Sequence, residues 1–182
     1  MLRDLILKNR STRHYYQDKV SRETLEELVD FARLSATAGN RQPLRFVLAS
    51  EPEKVSLVFQ NIGLAGDPPA GEQPPAYIVI VGDKNIRPSF GVDPGIAAQS
   101  ILLGATEIGL AGCMIGFINR PELHKALKLT DNYEIALVVA IGKPKETFKL
   151  ETIGPDEATQ GWWDEKGTRH IPKRKLKDLI IG

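Results

Sequence analysis

The chain has 182 residues and a net charge of +1, with 42% hydrophobic and 26% charged residues, ordinary proportions for a folded globular protein. The near-neutral charge gives no electrostatic reason to expect nucleic acid, and a single cysteine, Cys113, excludes an internal disulfide and a cysteine-based zinc cluster. The N-terminus lacks the long apolar core of a signal peptide and no apolar run reaches the ~20 residues of a membrane span, so no membrane partner and a cytoplasmic location are expected.

In chain order, Leu2 to Lys8 predicts a short helix ending near Asn9. Ser21 then stands as a helix cap, with Val20 and Leu25 placed as a hydrophobic staple. Leu25, Leu28, Val29 and Ala32 follow at helical spacing, and Gly39 is a stop signal. Arg45 to Ala49 reads as a strand. Ser50-Glu51-Pro52-Glu53 predicts a capping box with proline in the first turn, starting a helix through Val55, Val58 and Phe59. Residues 61–76, NIGLAGDPPAGEQPPA, predict a long surface loop of the kind that serves as a lid or binding loop. Tyr77 to Val81 is an unbroken apolar run, expected as a buried strand.

Asp93-Pro94 predicts another helix, capped by Asp93 with Pro94 at its first position. From Ile96 to Leu110 it is apolar on nearly all sides, interrupted by Gln99, Ser100, Thr106 and Glu107, so a central helix shared with a second subunit is expected. Cys113 to Phe117 reads as a strand, Pro121 to Leu127 as a short helix, and Ile135 to Ile141 as an apolar strand ending at Gly142-Lys143-Pro144. Residues 145–167 show little periodicity yet carry Trp162 and Trp163, which in an irregular tail are expected to dock on something. A final helix is expected from Pro172, including Leu176, Leu179 and Ile180. The alternation of helices and strands leaves α/β and α+β both open.

His14, His124 and His170 lie far apart and form no metal-ligand spacing. Glycine-rich dinucleotide and phosphate loops and a nucleophile elbow are absent, and Cys113 in its apolar run reads as a structural thiol. No set of side chains stands out as catalytic, so a bound cofactor is expected to carry any chemistry. Arg10-Ser11-Thr12-Arg13 and Lys173-Arg174-Lys175 are cationic clusters suited to holding a phosphate from both ends of the chain; solvated surface charge is the ordinary alternative. In the loop SATAGNRQP, residues 35–43, Asn40 and Gln42 offer amides that suit the edge of a flat heterocycle, although Asn40 also fits a simple turn after Gly39.

Together these stretches resemble the nitroreductase family of FMN-binding flavin enzymes. NRSTRHY (residues 9–15) is similar to its N-terminal arginine motif, and ARLSATAGNRQPLRFVLAS (32–50) to its small-residue loop with Asn-x-Gln-Pro and the following strand. DPGIAAQSILLGATEIGLAGCMIGF (93–117) resembles its long central helix, ALVVAIGKP (136–144) its last core strand, and RHIPKRKLKDLI (169–180) its basic C-terminal segment. The resemblance implies one α+β domain over residues 1–182, a mixed sheet flanked by helices. It further implies an intertwined homodimer with the long helix at the interface and residues 145–182 docking on the partner subunit. It implies FMN held at its phosphate and ribityl end by Arg10, Ser11, Thr12 and Arg13, with Lys173 and Arg174 joining the phosphate. Asn40 and Gln42 would face the ring in the partner's site, and Met114, Ile115 and Gly116 would bring backbone groups near it. NADH or NADPH and a small acceptor, a nitroaromatic or quinone, would react in turn with no catalytic side chain. Leu44, where many relatives carry an aromatic, and the 61–76 loop leave the substrate open. A same-fold flavoprotein that fragments flavin or oxidises a heterocycle, and a flavin-binding module without turnover, are the alternatives.

Overall fold

In the computed structural model, which describes residues 1–64 and 68–181, the chain divides into two units, Met1–Pro144 and Lys145–Gly182. The first unit runs α1 (Leu2–Lys8), α2 (Arg22–Leu34), a 3-10 turn (Ala38–Asn40), β1 (Leu44–Ala49), α3 (Pro52–Phe59), β2 (Ala76–Asp83), α4 (Asp93–Glu107), β3 (Ala111–Ile115), α5 (Arg120–Ala126) and β4 (Tyr133–Gly142). Ser21 caps α2 as its sequence predicts, its Oγ accepting from Thr24 N–H at 3.1 Å. Two expected caps are not formed. Glu51, not Ser50, flanks α3 and makes no side-chain cap bond, because Pro52 at the first position already sets the backbone. Val92 flanks α4, and Asp93 lies inside its first turn with its carboxylate used elsewhere.

Strand order is β1-β2-β4-β3, and every neighbouring pair is antiparallel. Strand β2 is buried along its whole length. Its alternate residues feed two cores. Ile78 and Ile80 join Val139 and Ile141 of β4 under Leu25 and Leu28 of α2 and Ala98 and Ile101 of α4. Tyr77, Val79 and Val81 join Val138 and Ala140 over Val58 of α3 and Leu123 of α5. The result is an α+β sandwich with helices on both faces of one sheet. Each fully buried Ile or Val of β2 contributes about 1.5–3 kcal/mol of apolar burial, so the central strands anchor the unit.

Strand β3 forms one edge. A Cβ on Gly112 would stand 2.2 Å from Ala140 O and 2.6 Å from a methyl of Leu102, so glycine permits this close approach of β3 to β4 and α4. On the free side of β3, Thr12 N–H donates to Gly112 O at 3.0 Å, and the buried Tyr15 hydroxyl donates to Thr12 O. The 61–76 loop is packed down at both described ends. Leu64 joins the second core, and Gly63 N–H donates to Phe117 O at 2.9 Å. Beyond it, Glu72 pairs with His14 Nδ1 at 2.8 Å, and Gln17 donates to Gln73 O at 2.9 Å. Residues 65–67 of that loop lie outside the described residues. Among the described residues, no helix is long and apolar enough to cross a membrane.

The second unit holds β5 (Thr147–Ile153), β6 (Trp162–Trp163), β7 (Thr168–Arg174) and a 3-10 turn at Leu176–Asp178. Order is β5-β7-β6, with β5 and β7 parallel. This corrects two expectations: part of the 145–167 tail is strand, and the helix expected from Pro172 is a strand followed by a single turn. Proline is tolerated in β7 because β6 pairs only with Arg169 and His170, leaving one flank open at Pro172. His170 lies between two carboxylates, Nδ1 at 2.6 Å from Glu151 and Nε2 at 3.2 Å from Asp164, and stacks on Trp162 with ring centroids 4.9 Å apart. Hydrogen bonds from Lys149 and then His170 hold the Glu151 carboxyl below its usual range; those from Thr168 N–H and then His170 do the same for Asp164. Depressed carboxylate pKa values give stability that is present above the unfolded-state values near about 4 and lost as pH falls through the folded ones. Acidification below about pH 4 is therefore expected to loosen this unit, and Glu151→Gln with Asp164→Asn to flatten that pH dependence. Intrinsic fluorescence checks it, since the two tryptophans of the chain both lie in β6.

Candidate functional site

The Arg10–Arg13 motif turns sharply out of α1 onto the open edge of β3. Arg10 spreads its guanidinium over the end of that helix, donating to Ile6 O at 3.0 Å, Leu7 O at 3.1 Å and Asn9 O at 2.6 Å. A cation is favoured there by the exposed carbonyls and the helix dipole. Its Nε is buried without a hydrogen-bond partner, and burial pushes the guanidinium below its ordinary pKa. Thr12 is 1% exposed and gives its hydroxyl to Arg10 O at 3.3 Å, fixing the turn from beneath. Ser11 is exposed and pairs along β3 with Gly112. Arg13 donates to Ser11 O at 3.2 Å. Further along the same strand Met114 is exposed, Ile115 is buried, and nothing lies within 4 Å of where a Cβ on Gly116 would be. The structure thus brings Arg10, Ser11, Thr12, Arg13, Met114, Ile115 and Gly116 to one edge of the sheet.

Asn40 and Gln42 form a second group. Gly39, Asn40 and Gln42 all have positive φ, at 60°, 52° and 49°, an unusual density of left-handed residues outside glycine. Gln42 Nε2 donates to Asn40 Oδ1 at 3.3 Å and Gln42 N–H to Thr37 Oγ1 at 3.2 Å, so the two amides are coupled. Asp93 holds this loop from below. Its carboxylate is 1% exposed, and Oδ1 accepts from Ala38 N–H at 3.0 Å, while Oδ2 is buried without a partner. A cleft of ≈ 140 Å³ opens beside it, lined in part by Thr37, Gln42, Phe46, Asp93 and Ala97.

The ladder keeps the two groups apart. Gly112 is level with Ile141 and Ala76, beyond the Tyr77–Ala49 end of β1, whereas the amide loop enters at Leu44, level with Gly82. Three strand spacings across and five or six residues along put them roughly 20–25 Å apart in one protomer. Lys173 and Arg174 belong to the second unit, where Arg174 donates to Gly154 O at 3.1 Å and to Pro155 O. Asp93, expected as a helix cap, turns its carboxylate onto Ala38 N–H instead, and an Asp-Pro pair predicts a helix start equally well with the carboxylate turned inward. Asp93→Ala is expected to lower stability by about 1–3 kcal/mol by stranding Ala38 N–H, with Asp93→Asn much milder. Denaturant midpoints of the two variants check this.

Three comparisons bear on this geometry. The model of the nitroreductase family matches residues 6–64 and 59–143, which together span nearly all of the first unit. A relative from Archaeoglobus fulgidus, named as an NADH dehydrogenase/NAD(P)H nitroreductase, is 27% identical over 171 residues, covering 87% of this chain and 97% of the relative. The crystal structure of a nitroreductase family protein from Clostridium difficile 630 is 29% identical with a TM-score of 0.68, covering 80% of this chain and 85% of that one. A nitroreductase from Exiguobacterium sibiricum, solved in complex with FMN, shares the fold at 18% identity and a TM-score of 0.71, over 80% and 89% of the two chains. With a family model spanning the sheet, both candidate corners and the central helix, the chain belongs to the nitroreductase family.

Proposed function

We propose that this chain is an FMN-dependent oxidoreductase that uses NADH or NADPH to reduce a nitroaromatic, quinone or similar small acceptor, acting as a cytoplasmic homodimer with ping-pong kinetics. The observation that carries the reading is the Arg10–Arg13 corner on the free edge of β3 beside Met114–Gly116, in a chain of this family. FMN, when bound, would supply the hydride- and electron-transfer chemistry between the nicotinamide and the acceptor.

The residues present fit that group. Arg10 offers a buried, partnerless Nε–H, Ser11 an exposed hydroxyl, and Gly116 open space for a flat ring to approach backbone. Arg10, Ser11 and Arg13 would hold the phosphate and ribityl end, with Thr12 fixing their backbone. Met114, Ile115 and Gly116 would meet the ring. Asn40 and Gln42, at the opposite corner of the sheet, would grip the ring of the partner subunit. Lys173 and Arg174 would add charge at the phosphate, and residues 145–182 would form an extension docking on the partner. Ile96, Ile108 and Phe31 on and beside α4, 37%, 50% and 40% exposed, support burial against a second copy.

The purified protein is expected to be yellow, to release FMN on denaturation, and to bleach on addition of NADH or NADPH without oxygen. A colourless protein that takes up no added FMN would overturn the reading. Arg10→Ala is expected to weaken FMN binding by about ten- to a hundredfold, the loss of one charge-assisted set of hydrogen bonds, and Arg41→Ala by much less. Titration followed by flavin fluorescence decides between them, with thermal melts to separate binding from loss of the α1 contacts. Equal losses would reject the phosphate assignment.

A further inference from the structure

Two arginines beside the amide loop have no part in that reading. Arg41 stands between Asn40 and Gln42, and Arg87 follows the turn after β2. The β1–β2 ladder brings them together. At its end Asp83 N–H donates to Pro43 O at 2.8 Å, and the turn closes back with Arg87 N–H on Asp83 O at 3.2 Å. A cleft of ≈ 530 Å³ is lined there by Ala38, Gly39, Arg41, Ile86 and Arg87. Arg41 folds over Gly39, where an added Cβ would be 3.9 Å from its Nε.

Neither nearby carboxylate, Asp83 or Asp93, makes an ion pair with these arginines. Asp83 Oδ1 accepts from Asn85 N–H and from Asn132 Nδ2, both at 3.0 Å, and Asp93 Oδ1 accepts from Ala38 N–H. Among the described residues, neither Arg41 nor Arg87 makes a side-chain hydrogen bond or an ion pair. Two guanidinium groups line one cleft and neither is paired with a carboxylate, so an anion there would accept from two planar forks.

We propose that this cleft is an anion subsite of the active centre, taking the carboxylate or phosphate of a reactant while its reacting group lies over the ring gripped by Asn40 and Gln42. The inference deepens the function proposed above and rests on it for the position of the ring. It names the reactant class: acceptors with a carboxylate held away from the reducible group, such as nitrobenzoates, or a dinucleotide with a 2′-phosphate.

The test assays the holoprotein with NADH against 4-nitrobenzoate and its neutral counterpart 4-nitrobenzamide. Wild type is expected to favour the carboxylate in kcat/KM. Arg41→Gln and Arg87→Gln should each lower the benzoate-to-benzamide ratio about tenfold, the loss of one charge-assisted contact. Arg3→Gln removes a charge from the exposed α1 and should leave the ratio alone. The NADPH-to-NADH ratio, measured in the same variants, separates the two sources of anion. A fall in either ratio supports the subsite and says which reactant supplies the anion. Ratios that both stay unchanged, or that fall equally in Arg3→Gln, overturn it and leave solvated surface charge. Failure of the flavin reading would look different: protein without FMN that turns over neither acceptor. Calorimetric titration with 4-nitrobenzoate then decides, binding in wild type lost in the Arg41→Gln, Arg87→Gln double variant supporting the cleft and no binding in wild type ending it.

Discussion

The antiparallel register of the four-stranded sheet holds the arginine motif and the amide loop at diagonally opposite corners, and the rest of the site follows from that constraint. The register cannot drift. Shifting β2 by one residue would turn Ile78 and Ile80 toward the layer now filled by Tyr77, Val79 and Val81, exchanging both cores at once. At the edge, Gly112 locks β3 against Ala140 O and Leu102, and the same glycine's carbonyl takes the hydrogen bond that seats Thr12. The two corners are thus separated by the width and much of the length of the sheet, and that separation is a property of the ladder itself.

Charge is distributed to match. Arg10 sits at the C-terminal carbonyls of α1, and Asp93 in the first turn of α4, the two placements a helix dipole favours. Both are drawn inward and both leave one polar atom without a partner, Nε of Arg10 and Oδ2 of Asp93. Each positions backbone rather than forming an ion pair: Arg10 gathers the carbonyls before the motif, and Asp93 carries Ala38 and with it the left-handed stretch that displays Asn40 and Gln42. Removing Asp93 strands the Ala38 N–H donor, and removing Arg10 leaves the carbonyls of Ile6, Leu7 and Asn9 without their shared donor; leaving such a group unpaired costs more than the net worth of the bond it made.

Much of this was legible in the sequence where a local pattern and a tertiary demand coincide. Ser21 caps α2 because the Thr24 N–H it accepts from lies three residues on, within the local window, and the run around Ile78 and Ile80 reads as a strand because it is buried on both faces. Reading failed where a residue has two uses. Asp93-Pro94 predicts a helix start and delivers one, yet the carboxylate goes to Ala38, fifty-five residues away in the chain, a demand no local window contains. Around Pro172 the sequence offers proline, lysine and arginine before Leu176, which resembles a helix opening. Pairing with Glu151 makes it a strand instead, since β5 supplies partners from a segment with no periodicity of its own. The arginine motif was visible as charge, but its seat on Gly112 was not, because a glycine carbonyl leaves no mark in composition.

Residues that fix the fold and residues placed to choose a reactant occupy different parts of the ladder. Ile78, Ile80, Val139 and Gly112 lie within strands and answer to packing. Arg41 and Arg87 lie just outside the ends of β1 and β2, on backbone set by Pro43 and Asp83. Substitution at those two positions alters charge beside the amides without touching a core side chain or the register, whereas Leu44 pairs with Gly82 and packs on the first core. A sheet of this kind can hold its packing fixed while residues just beyond its strand ends vary in charge, and Arg41 and Arg87 stand at such positions.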